Sequence, residues 1–152
     1  MKIIISAVAA LLVMCLAPAA QASASASAKI PWGPYSGPGV RASGSLTPSG
    51  EDHAVLPTAD TVKIVGKVTD LDRSKGNCGW VVFRIGYRKG NNLPSYERYV
   101  IDCSYGTAKK FTRTYHDVYQ VELKVCSEPK AKKPSLTCYY SGTWKVLYTS
   151  PH

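Results

Sequence analysis

The chain has 152 residues, enough for one domain and a tail, and carries 19 Lys and Arg against 10 Asp and Glu, a formal charge of +9. That balance suits an acidic partner, an anionic wall polymer or simple solubility. With no recognisable binding motif, it gives no support to nucleic acid as a partner.

Residues 1–22, MKIIISAVAALLVMCLAPAAQA, have the form of a secretory signal peptide. Lys2 is the positive n-region. Ile3 to Leu16 is an apolar run shorter than the ~20 residues that span a bilayer, so no membrane span is expected. Pro18 ends the run and Ala20-Gln21-Ala22 offers a small-x-small cleavage site, with cleavage as late as residue 28 as the alternative. Cys15 leaves with the signal; Met14 before it argues against a lipoprotein. Without Lys2, 18 basic residues remain against 10 acidic, a formal +8. The protein is expected to be secreted.

Residues 23–60 are rich in Gly, Pro, Ser and Ala with little periodicity. Such a segment buries too little apolar surface to offset its ordering entropy, so an extended, flexible arm is expected. The arm carries aromatics among its prolines, as a docking peptide would. Lys29, Ile30, Pro31, Trp32, Gly33, Pro34 and Tyr35 are therefore the candidate partner-binding residues. The alternative is a spacer whose aromatics fold back on the domain.

From Thr61 the pattern becomes that of strands. TVKIVGKVT sets Val62, Ile64 and Gly66 against Lys63, Val65 and Lys67. GWVVFRIGY and SYERYVIDC flank the turn signal KGNNLP and form a hairpin folded at Asn91. KKFTRTY follows, with His116-Asp117 as a tight turn. YQVELKVC alternates cleanly, Tyr119, Val121, Leu123 and Val125 against Gln120, Glu122 and Lys124. SLTCYY and TWKVLY complete the set, joined at Ser141-Gly142. About seven short strands without helical periodicity predict an all-β fold. We expect a small antiparallel immunoglobulin-like β-sandwich over residues 61–152, preceded by the extended arm.

Four cysteines remain after the signal, an even number in an exported chain. The hairpin brings Cys78 opposite Cys103. Cys126 and Cys138 flank SEPKAKKPSLT and should also meet, giving Cys78–Cys103 and Cys126–Cys138. Without C-x-x-C spacing, no metal site is expected.

No catalytic constellation or cofactor motif is recognisable, so neither enzymatic activity nor a cofactor is expected. His53, His116 and His152 lie in the arm, a turn and the last position, and no G-x-S-x-G occurs. Glu97 and Asp102, five apart on one strand, point to opposite faces and cannot form a glycosidase pair there. Tyrosine is abundant, ten in all. Most of these suit cross-strand packing, and either Tyr139 or Tyr140 must face outward. The cluster Lys130, Lys132 and Lys133 occupies the loop closed by the second disulfide.

The Ala-rich leader, the short β-domain with two disulfides and the arm KIPWGPYSGPG together resemble the small adaptor subunits of the umbrella-shaped toxin particles of Streptomyces. The resemblance is one of layout over the whole mature chain. It implies a protein without activity of its own that links a large toxin subunit to a lectin subunit. It further implies that residues 29–40 insert into a cleft of the lectin while the β-domain holds the toxin. Two other readings fit the residues: a secreted protease inhibitor or small stand-alone toxin, and a cell-wall or carbohydrate-binding module stacking sugars on Trp80 or Trp144.

Overall fold

The alternation in TVKIVGKVT and YQVELKVC is realised in two strands that pack against each other through their apolar sides. The computed structural model describes residues 27–74 and 76–151. The expected signal peptide, with Cys15 and the earlier of the two expected cleavage sites, lies outside them. The strands are β1 (Ile30–Gly37), β2 (Val40–Glu51), β3 (Ala59–Asp70), β4 (Asn77–Tyr87), β5 (Ser95–Asp102), β6 (Ala108–Pro129) and β7 (Lys145–Thr149), with one helical turn, α1 (Leu136–Tyr140), before β7. All pairings are antiparallel, in the order β1-β2-β3-β6-β4-β5, with β7 also on β6. The all-β, antiparallel sandwich expected from the sequence is the architecture observed.

The sheet becomes two layers because β6 belongs to both. Ala108 to Val118 pairs with β3, and Val118 to Pro129 pairs with β4. The change of partner falls at Asp117, whose φ of 54° lies in the left-handed region. The predicted turn at His116-Asp117 is thus a bend inside one long strand. Asp tolerates that conformation, and the Arg88 N–H bonds to the Asp117 carbonyl, so the bend leaves this acceptor satisfied. The core between the layers contains Leu46, Val62 and Ile64 from one side and Val81, Phe83, Ile85 and Leu123 from the other, all fully buried.

Residues 23–60 are not a free arm where the structure describes them. Residues 30–37 and 40–51 are β1 and β2, paired with each other and with β3. Trp32 is 4% exposed and stands in the core, its ring centroid 6.1 Å from Phe83 and 6.4 Å from Phe111. Two glycines make its slot. Gly44 and Gly66 are direct cross-strand partners, and a Cβ on either would lie 2.5 and 2.6 Å from the indole Cζ2. Composition counts these glycines as disorder-promoting; geometry uses them to admit the largest side chain of the strand.

The second correction concerns SLTCYY. Thr, Cys and Tyr favour strands, yet residues 136–140 form one helical turn capped by Ser135, whose hydroxyl accepts from the Cys138 N–H. The expected Ser141-Gly142 hairpin is therefore absent, and β7 begins only at Lys145.

Candidate docking surface

Both expected disulfides are formed. Cys78–Cys103 closes the open end of the β4–β5 hairpin, and Cys126–Cys138 ties β6 to α1. The second bond decides the chemistry of one outer face. Trp80 and Val82 point away from the main core, yet both are fully buried. They lie in a second apolar cluster with Cys78, Cys138, Ile101, Tyr139 and Trp144. The segment from Lys130 to Trp144 covers them.

Several polar contacts fix that cover. The Trp80 indole N–H donates to the Glu128 carbonyl at 3.3 Å. The Glu128 carboxylate accepts from the Ser135 N–H and hydroxyl at 2.7 and 2.6 Å. The Tyr99 hydroxyl donates to the Lys132 carbonyl, and the Lys124 ammonium donates to the Tyr139 carbonyl at 2.8 Å. Burial lowers the Lys124 pKa, and the nearby Arg84 guanidinium lowers it further. Burial raises the Tyr139 phenol, and the surrounding Glu97, Tyr99 and Glu128 add to the shift. The Arg84 guanidinium sits 3.9 Å above the Trp144 ring and pairs with Glu122.

Held in this way, α1 presents two large apolar side chains to solvent. Leu136 is 71% exposed and Tyr140 80%. Four residues apart on a helical turn, they lie on one side of it. Tyr99 and Val146 are also exposed on this outer face. Lys130, Lys132 and Lys133 surround the same loop. A groove of about 700 Å³ runs beside it, between this segment and the side of β6 left unpaired beyond Leu123.

The sequence-predicted docking residues fare differently. Lys29, Pro31, Gly33 and Pro34 are exposed; Ile30 and Tyr35 are half-buried against the core; Trp32 is enclosed. The aromatic intended as the anchor is unavailable to a partner. Read as a strand, SLTCYY does not pair Leu136 with Tyr140; the helical turn does. The i, i+4 spacing behind Pro134 and the cap Ser135 carries the helical signal. One of Tyr139 and Tyr140 does face outward, but on a helix.

The remaining candidates are accounted for by local contacts. Cys126, Glu128 and Cys138 converge within 4.8 Å, but both sulfurs are joined to each other and Glu128 holds Ser135, so the donor set does not fit a metal. The exposed His116 imidazole lies 3.3 Å from the Thr61 hydroxyl and 3.2 Å from the Asp60 carbonyl. Glu97 is exposed and Asp102 buried, on opposite faces of β5 as expected. Trp80 offers no ring face to a sugar, and one face of Trp144 is covered by Arg84. No helix among the described residues is long and apolar enough to cross a membrane. Comparison with protein-family models, curated proteins and solved structures finds no match for this chain.

Proposed function

We propose that the protein is an exported, non-catalytic adaptor that docks on a partner protein through the face built around α1. The observation that carries this reading is the pair Leu136 and Tyr140, exposed on a turn that a disulfide, a cap and the Trp80 cluster hold rigid. Large side chains fixed before binding lose little further entropy on contact. Aromatic anchors of this kind dominate protein interfaces. The lysines around the loop complement an apolar pocket with an acidic rim. Two disulfides in a small β-domain suit an oxidising, extracellular setting. Bridging a lectin subunit and a large toxin subunit is the form of this role that the resemblance to toxin-particle adaptors implies. The docking segment 29–40 that goes with it is replaced here by α1, because Trp32 belongs to the core.

The test is affinity capture from the native culture supernatant, with the tagged mature protein and its Leu136→Ser/Tyr140→Ser variant side by side. The wild type should retain partner chains that the folded variant loses. Identical capture by both would overturn the assignment.

A further inference from the structure

The outer face of the other layer has the opposite chemistry. On β2, β3 and the first half of β6, the outward positions carry Ser, Thr, Lys, Arg, Ala108, His116 and one exposed valine, Val65, and no acidic residue. Its four cations are Arg41, Lys63, Lys67 and Lys110. Lys67 and Lys110 are direct cross-strand partners, an arrangement in which like charges repel. Among the described residues none of the four is in an ion pair; the ion pairs there join Arg84 to Glu122 and Arg88 to Asp52.

We infer that this face binds a linear phosphodiester polymer of polyol-phosphate type. Lys63 and Lys67, four residues apart on β3, are separated by about 13 Å, and the strands from β2 to β6 spread the charges over about 10 Å more. A single phosphate reaches one neighbouring pair; a chain of phosphates running along β3 meets all four cations. Serine and threonine hydroxyls such as Ser43, Thr47 and Thr114 lie between the cations. They can exchange hydrogen bonds with phosphate oxygens and polyol hydroxyls. Two competing occupants fit less well. No Trp, Tyr or Phe ring lies among these outward positions to stack bases, as single-strand binders require, and the His116 imidazole at the edge is held by Thr61 and the Asp60 carbonyl. Val65 and, at the end of the face beside Arg41 and Lys67, Leu71 are exposed large apolar side chains on it, too few to enter a bilayer.

This inference is independent of the role given to α1. It is tested by titrating the mature protein with purified poly(glycerol phosphate) at low ionic strength. Two variants of equal net charge are compared, Lys63→Gln/Lys67→Gln/Lys110→Gln and Lys130→Gln/Lys132→Gln/Lys133→Gln. The first should lose at least about fivefold in affinity and the second less than about twofold. Added salt should weaken wild-type binding, as charge-driven association requires. Absence of wild-type binding, or equal loss by both variants, overturns the inference. Equally tight binding of single-stranded DNA or dextran sulfate overturns the assignment of the occupant.

Discussion

Replacing Trp32 by alanine separates a core strand from a docking arm. A tryptophan side chain of this burial removes roughly 200 Å² from water, worth about 5 kcal/mol at 25 cal/mol per Å². The cavity left between Phe83, Phe111 and the two glycines adds to the cost of removal. Against this, the indole Nε1 is buried without a hydrogen-bond partner, and losing it recovers about 1–3 kcal/mol of desolvation. Trp32→Ala should therefore destabilise the domain by about 3–4 kcal/mol, a large share of the roughly 5–15 kcal/mol that such domains possess. Trp32→Phe keeps a ring in the slot and removes the orphan N–H, so it should cost about 1 kcal/mol. Equilibrium urea unfolding by far-UV circular dichroism, with disulfides intact, measures both. A loss below about 1 kcal/mol for the alanine variant would refute the packing of β1.

Three further outcomes follow from the same contacts. Gly66→Ala should destabilise by about 1–3 kcal/mol, because the new Cβ meets Trp32 at 2.6 Å and Phe111 at 2.8 Å; a melting temperature at or above wild type would show that the slot can widen. Cys126→Ala/Cys138→Ala opens a loop with a sequence separation of 12. It should cost about 3 kcal/mol while the sheet persists, with Trp80 emission shifting to the red and faster amide exchange over 135–141; unchanged emission would mean that the cover stands without its bond. Asp52 accepts from the Thr58 N–H and pairs with Arg88, which holds its carboxyl down to about 2. A depressed carboxyl stabilises above its unfolded value and loses that contribution as pH falls through the folded one. The loop at Thr58 should therefore lose amide protection between about pH 4 and 2, and Asp52→Asn should lack that step. A carboxyl midpoint near 4 for Asp52 in a carbon-13 titration would contradict the contact.

What the sequence reveals depends on whether a contact is local. The β4–β5 hairpin and its disulfide could be read because turn chemistry and strand length place Cys78 opposite Cys103 from within 26 contiguous residues. Burial in β3 follows its alternation, with Val62, Ile64 and Val68 inside and Lys63, Val65 and Lys67 outside. β1 and β2 escaped because their support is not local. Their Gly, Ser and Pro content has low strand propensity, and the pairing with β3 and the slot for Trp32 exist only after folding. The long β6 escaped for a similar reason: His116-Asp117 has turn character, but β3 and β4 both claim the chain on either side of it and keep it extended. The seven strands expected and the seven observed are thus not the same seven. Two came from the arm, two merged into β6, and one became α1.

The candidate surfaces follow from the same topology. A strand alternates its side chains, so each layer of a sandwich has one outward set, and here the two sets differ in chemistry. In the first layer the outward set meets water directly, and hydroxyl and basic residues suffice. In the second, Trp80 and Val82 point outward on β4, which is paired on both sides, and together they would expose a large apolar patch if left uncovered. The chain after β6 resolves this by folding back over them, and the disulfide fixes it there together with the hydrogen bonds of Lys124 and Glu128 on the same strand. The inner side of that cover, Cys138 and Tyr139, serves the cluster, while Leu136 and Tyr140 stand outside. Because the two outward sets point away from a common core, occupation of the basic face leaves α1 free. A protein docked on α1 and a polymer on the basic face would then be held on opposite sides of one rigid domain.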